Sequence, residues 1–281
     1  MDGAFRIMGV VNVTPDSFSD GGAFLDRDAA VDHGLRLAFE GADLLDIGGE
    51  STRPGADPVS ERVELDRVIG VIEGIRARDA VVRISIDTSK AAVAAAALDA
   101  GADFVNDVTA LRGDPEMAAL VAERGVDVCV MHMLGSPRTM QAEARYDDVV
   151  DDVKRFLGER IEAAVTAGIA RERIHVDPGI GFAKTIAHNL ELLERLRELT
   201  GLGRPLVLGT SRKSFLGTIT GRETTERMPA TLATVVMGLE RGAEVFRVHD
   251  VAPARDALAV AAATLARRWP LTTPRNMTTT S

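Results

Sequence analysis

Short runs of β-branched and aliphatic residues along this chain stop, one after another, at residues that can ionise or hydrogen-bond. In order these are Asn12, then Asp46 and Glu50, Asp87, Asn106 and Asp107, His132, Asp177, the trio Ser211, Arg212 and Lys213, and finally Arg247, His249 and Asp250. Asp87, Asn106 and Asp177 offer two carboxylates and an amide, a set that can satisfy the edge of a flat heterocycle. A carboxylate accepting two parallel N–H bonds suits an amino-pyrimidinone in particular. Each of the three also has a plainer use as the N-cap of a following helix, above all Asp87 before Thr88-Ser89 and Asp177 before Pro178. Arg247 and His249 stand two apart on one run, so as strand residues they share a face that Val248 does not. They serve either as a cationic pair for an anion or structurally, Arg247 bridging helices and His249 capping a turn. Spacing leaves both open.

Two stretches rich in turn formers follow the first two runs, Asn12 to Gly22 and Gly48 to Gly55, the second carrying the lone cation Arg53. Either alone reads as a surface turn, but as neighbours they predict a two-sided lid. Other familiar chemistries lack their motifs. Gly179-Ile180-Gly181-Phe182-Ala183-Lys184 breaks the dinucleotide fingerprint, because Lys184 replaces the third glycine and Pro178 interrupts the turn. There is no Walker A sequence, no His-Glu-x-x-His and no nucleophile elbow, and the five histidines lie too far apart to suggest structural zinc.

Positioning so many polar ends requires a repeated element. Strands are expected near 7–11, 44–47, 82–86, 104–108, 126–131, 174–176, 206–208 and 245–248, each followed by a longer Ala/Leu/Glu/Arg-rich segment of helical spacing. Helices are expected over 28–40, 60–76, 89–99, 115–124, 147–167, 189–199, 229–241 and 254–267. Ser89 is placed as an N-cap, Asp114-Pro115 as a cap with a first-turn proline, and Gly41, Gly101, Gly125, Gly168 and Gly242 as helix stops. Eight such units predict an α/β fold, a single (β/α)8 TIM barrel with its site at the carboxyl ends of the strands. The barrel is assigned to 1–270, and the polar, aperiodic tail 271–281 is expected to be disordered.

Composition agrees. The chain has 281 residues, within the range of one such barrel, and is 46% hydrophobic but only 4% aromatic, as a core of Val, Ile, Leu and Ala requires. A net charge of −9 argues against sequence-independent nucleic-acid binding, which needs a basic face. No stretch approaches the apolar length of a membrane span. The single cysteine, Cys129, lies in the apolar run Val126 to Met131 and is expected as a buried thiol in a reducing, cytoplasmic setting. From strand-end polarity alone, a sugar-phosphate barrel enzyme is also open. Such barrels, however, place glycine-rich loops after strands seven and eight, where this chain has Ser-Arg-Lys-Ser and Arg-Val-His-Asp.

The sequence around these residues resembles the dihydropteroate synthases, a pterin-binding family of the folate pathway. The resemblance rests on Met8 to Gly22, Asp46 to Gly55, Ser85-Ile86-Asp87-Thr88, Asn106-Asp107, Met131-His132-Met133, Asp177-Pro178-Gly179, Ser211-Arg212-Lys213-Ser214 and Arg247-Val248-His249-Asp250. They run in family order across residues 6 to 265. It implies a (β/α)8 barrel that joins 4-aminobenzoate to (7,8-dihydropterin-6-yl)methyl diphosphate, releasing diphosphate. By position it implies that Asp87, Asn106, Asp177 and Lys213 hold the pterin edge, with Arg247 stacking on the pterin and reaching the diphosphate. It likewise implies that Asn12 and His249 hold diphosphate and Mg2+, and that Thr52 adds a ligand contact. Phe18, Arg53, Phe182 and Ser211 match the 4-aminobenzoate site, and Asp20 matches a loop that orders over the reacting centre. The implied partners are these two small molecules and a second copy of the chain in a homodimer. A methyltetrahydrofolate-using methyltransferase shares the barrel but has no diphosphate to hold, so Arg247, His249 and Ser211 to Lys213 favour the synthase. A non-catalytic pterin-binding paralogue is separated from it by diphosphate release.

Overall fold

The structure is a computed structural model, and it describes residues 5–14, 23–51, 56–135 and 144–266. Within them eight strands appear: β1 (Arg6–Asn12), β2 (Leu44–Gly48), β3 (Arg83–Asp87), β4 (Phe104–Asp107), β5 (Asp127–Met131), β6 (Ile174–Asp177), β7 (Val207–Leu208) and β8 (Val245–Val248). All pair in parallel, in the order β6-β5-β4-β3-β2-β1-β8-β7. A single bridge between Val176 and Leu206 joins the two edges, so the sheet closes as a barrel. The helices α1 (Ala23–Phe39), α2 (Glu61–Arg78), α3 (Ala91–Asp99), α4 (Met117–Arg124), α5 (Val149–Thr166), α6 (Ile186–Glu194), α7 (Ser214–Thr220), α8 (Met228–Glu240) and α9 (Val251–Ala266) cover it. None of the described helices is long and apolar enough to cross a membrane.

Every expected strand is present to within a residue or so at each end, and the polar strand ends are themselves strand residues in seven cases: Asn12, Asp46, Asp87, Asn106, Asp107, Asp177 and Arg247. The five glycines placed as helix stops all have positive φ, from 58° to 110°. Helix starts differ more from expectation: α1 begins five residues early, α6 and α9 three residues early, and α3, α4 and α5 two residues late. Lys90, not Ser89, occupies the N-cap of α3 and offers no side-chain bond there. Instead Asp114, reaching from the next unit, accepts from the Ala91 N–H at 2.9 Å. The same Asp114 accepts from Glu116 N in the turn before α4, which starts at Met117 rather than at Pro115 and has no side-chain cap. The short α7 was not foreseen, since seven residues interrupted by Gly217 carry too little periodicity to read. The expected tail at 271–281 lies outside the described residues.

Strand alternation sends every second residue into the barrel. A lower interior layer holds Leu44, Phe104 and Val245 from even-numbered strands with Met8, Cys129 and Val207 from odd-numbered ones, all at most 3% exposed. His175 of β6 completes it by packing its ring 5.0 Å from that of Phe104. Cys129 is therefore the buried thiol the sequence predicts. Two residues further along each even-numbered strand stand Asp46, Asn106, Asp177 and Arg247. The fold thus stacks a polar layer directly on an apolar plug.

Candidate active site

Within that polar layer Arg247 is the central cation. Its Nε donates to Asp46 Oδ2 at 2.6 Å and its Nη2 to Asp87 Oδ2 at 2.8 Å. Burial alone would lower the guanidinium pKa, but the Asp46 and Asp87 carboxylates outweigh it and hold Arg247 charged. Asp87 feels the reverse balance. Burial, followed by the nearby Asp46 charge, pushes its carboxyl up from 3.8 to about 7 despite Arg247. Arg247 thus bridges strand carboxylates rather than helices, and Asp87 pairs with Arg247 while Asp114 serves the start of α3.

Asp177 divides its labour. Oδ1 accepts from Gly179 N at 2.7 Å, closing the turn after β6 rather than capping the next helix, whose N-cap is Thr185. Burial raises its pKa, opposed by the cation of Lys213. Lys213 comes from the end of β7, donates to Ile180 O and sits 4.4 Å over the Phe182 ring. Burial draws its pKa down to about 8, Asp177 resisting. Gly179 is required at its position. Its φ is +66°, and a Cβ there would stand 2.0 Å from the His132 carbonyl oxygen. Beneath Phe182, the buried Lys184 donates to Phe182 O at 2.9 Å and meets His132 Nδ1 at 3.0 Å. Desolvation and then the Lys184 charge press the His132 pKa down to about 2, so its ring is neutral. His132 and Lys184 thus support the β6–α6 turn from below.

On the β8 side, Ser211 Oγ accepts from His249 N at 3.1 Å and lies 2.9 Å from His249 Nδ1, which fixes the imidazole. Arg212 between Ser211 and Lys213 is left-handed, with φ 57°. A two-pronged ion pair with Asp250, at 3.0 and 2.6 Å, holds it there, together with a bond from its N–H to Thr231. Asp250 and Arg212 therefore shape the turn that presents Ser211 and Lys213. Arg247 and His249 have different protein neighbours, the Asp46 and Asp87 carboxylates for the first and the Ser211 hydroxyl for the second.

The structure thus brings together Asp87, Asn106, Asp177, Lys213, Arg247, Ser211, His249 and Phe182. Asn12 ends β1, half-buried and in register with Gly48. Phe18, Asp20, Thr52 and Arg53, with most of the first expected lid and half of the second, lie outside the described residues. Other polar strand ends are structural. Asp107 accepts from Thr109 N and Leu111 N, and Glu50 pairs with Lys90, which also binds the buried Glu64. One residue was undervalued by sequence reasoning. Asp46, fully buried, accepts from Ser85 Oγ at 2.6 Å, Asn106 Nδ2 at 3.1 Å and Arg247 Nε. Its position two residues beyond inward-facing Leu44 was the available signal.

The sequence profile of the family described as pterin binding enzyme matches residues 8–249, most of the chain. The chain belongs to the pterin binding enzyme family. This pterin binding enzyme is 44% identical to the dihydropteroate synthase of Haemophilus influenzae over 259 residues, covering 92% of this chain and 94% of the relative. It is 50% identical over 245 residues to a probable bifunctional folylpolyglutamate synthase/dihydropteroate synthase of Haloferax volcanii. That alignment covers 87% of this chain but spans only 29% of the longer protein. A solved dihydropteroate synthase of Xanthomonas albilineans, with 4-aminobenzoic acid, superposes at a TM-score of 0.88 with 51% identity over 93% of each chain. The same enzyme has been solved in complex with 7,8-dihydropteroate.

Proposed function

We propose that this pterin binding enzyme is a dihydropteroate synthase, a transferase of folate biosynthesis whose single barrel joins (7,8-dihydropterin-6-yl)methyl diphosphate to 4-aminobenzoate. The observation that carries the reading is the polar layer at the barrel mouth. The Asp177 carboxylate, the Asn106 amide and the Lys213 ammonium stand beside an Arg247 already fixed by two carboxylates, in a chain 44% identical to a dihydropteroate synthase over nearly its whole length.

In this reading Asp177, Asn106, Asp87 and Lys213 hold the pterin edge and Arg247 lies against the ring. Phe182 and Ser211, with Phe18 and Arg53, bound the 4-aminobenzoate site, Thr52 adds a ligand contact, and Asp20 lies on the covering loop. Breaking the methylene–oxygen bond leaves positive charge spread into the dihydropterin and negative charge on diphosphate. Carboxylates already in place at Asp177 and Asp87 stabilise the first charge, and a growing cation beside Asp87 draws its carboxyl back to the ionised form. Arg247 and His249 stabilise the second. Ser211 keeps the imidazole aimed, so no reorganisation is needed as charge develops. An arylamine is neutral near pH 7, so it attacks without a strong general base.

Mg2+ fits this donor set. Among the described residues no group of three or more His, Cys, Asp or Glu could hold a metal ion. The amide oxygen of Asn12 and the oxygens of diphosphate, with water, are the hard ligands Mg2+ prefers, and His249 would hold the diphosphate beside them. When bound, Mg2+ neutralises charge on the leaving diphosphate. Homodimerisation and a cytoplasmic location belong to the same reading, the first supported by the family resemblance and the second by the buried thiol of Cys129. Sedimentation velocity checks the dimer. The deciding experiment incubates purified protein with Mg2+ and both substrates. Formation of 7,8-dihydropteroate with stoichiometric diphosphate supports the proposal, and its absence from folded protein refutes it.

A further inference from the structure

We infer that Asp46 is a positioning residue for pterin recognition, fixing which atoms of Asn106 and Arg247 face the barrel mouth. The inference rests on the function proposed above. Asp46 is fully buried, so it acts through its neighbours. Three donors from three strands converge on its carboxylate: Ser85 Oγ of β3 at 2.6 Å, Asn106 Nδ2 of β4 at 3.1 Å and Arg247 Nε of β8 at 2.6 Å.

An ionised carboxylate only accepts hydrogen bonds. Asn106 must therefore turn its NH2 group towards Asp46. The flipped amide would press Oδ1 against a carboxylate oxygen in a dry interior, where two unpaired acceptors are costly. Oδ1 and the second amide N–H are thus left for the ligand, and Asn106 reads a donor and an acceptor in a fixed order. The same carboxylate orients Arg247. With Nε bound to Asp46 and one Nη2 proton to Asp87, the guanidinium plane is set by two bonds, and its remaining three N–H groups are available above it. Ser85 lies outside the ligand-facing set and ties Asp46 to β3, so its hydroxyl acts one step further back.

The test replaces Asp46 with Asn, which keeps shape but sets an NH2 group among three donors. Binding of the dihydropterin diphosphate with Mg2+, without 4-aminobenzoate, is measured by calorimetry, and both KM values by steady-state kinetics. Affinity for the pterin substrate should fall about ten- to hundredfold, the scale of lost charge-assisted bonds, with KM for 4-aminobenzoate unchanged. In an Asn106→Ala background the Asp46→Asn change should weaken pterin binding by a much smaller factor, because part of its effect passes through that amide. Equal factors in both backgrounds, or a loss of stability and kcat with no pterin-specific KM change, would overturn the inference. Should Asp46→Asn not fold, Ser85→Ala decides. It keeps the charge and should raise the pterin Kd by about threefold, because only part of one hydrogen bond's worth is passed on through Asp46 to the ligand, and an unchanged Kd refutes the positioning role. Asp177→Ala separates the layers of the reading. If it too leaves pterin binding intact, the pterin site itself is misassigned, whereas intact binding only in the Asp46 and Ser85 variants refutes this inference alone.

Discussion

Asp87→Asn should make the ligand-free protein more stable at neutral pH than the parent, and the gain should grow with pH. In the parent, burial and the Asp46 charge raise the Asp87 carboxyl from 3.8 to about 7. Between those values the native state holds a proton that the unfolded chain has released, so stability falls as pH rises through that window. At about 1.4 kcal/mol per pH unit, the whole effect is about 4 kcal/mol. The asparagine variant lacks the titration. Arg247 keeps its bond to Asp46, so the cation is not orphaned. Urea unfolding at a series of pH values from 4 to 8 reads out Asp87 and its immediate neighbours, because titrating groups remote from it contribute to both proteins and cancel in the difference. The advantage of the variant should climb by up to about 4 kcal/mol across the series. A constant difference, or one that shrinks as pH rises, would show that Arg247 keeps Asp87 ionised and that the charge balance drawn for the mouth is wrong.

Further outcomes follow from the same geometry. Asp177→Ala should abolish measurable pterin binding by calorimetry, a loss of about 3 kcal/mol or more for a charge-assisted pair of bonds, and unchanged binding would sink the edge-recognition role. Ser211→Ala removes the bonds that fix His249, so kcat should drop by about fivefold with pterin affinity retained, the loss of orientation being worth about 1 kcal/mol; an unaltered kcat counts against it. Gly179→Ala must place a Cβ 2.0 Å from a carbonyl oxygen at φ +66°. Its destabilisation should exceed the ~0.5–3 kcal/mol of ordinary substitutions, as a melting scan will read. Positional isotope exchange in the diphosphate, in single turnover without 4-aminobenzoate, tests whether bond breaking precedes attack, and no exchange would exclude an early reversible cation.

Much of the site was legible because it sits at strand ends, where an apolar run stopping at Asp, Asn or Arg marks both the element and its exposed terminus. Asp87, Asn106, Asp177, Lys213 and Arg247 were all readable that way. What the sequence left ambiguous was the use of each polar group. Asp107 and Asp177 both end strands as carboxylates, yet Asp107 closes a local turn with both oxygens while Asp177 gives only one to its turn. His132 ends β5 as plausibly as His249 follows β8, but it is buried against Lys184. Capping of α3 by Asp114, 23 residues away, carries no local signature at all.

Local chemistry therefore determined the repeating strand–helix units, their glycine stops and the polar residues at their ends, since these depend on spacing over a few residues. Their combination did not. Asp46 and Arg247 are 201 residues apart and meet only because β2 and β8 both pair in parallel with β1, on its two sides, with both side chains pointing inward. Alternation tells which residues share a face of one strand, but the stagger between strands decides which face one another across the barrel. That stagger turned four scattered residues into one layer, and made a buried aspartate its organising acceptor.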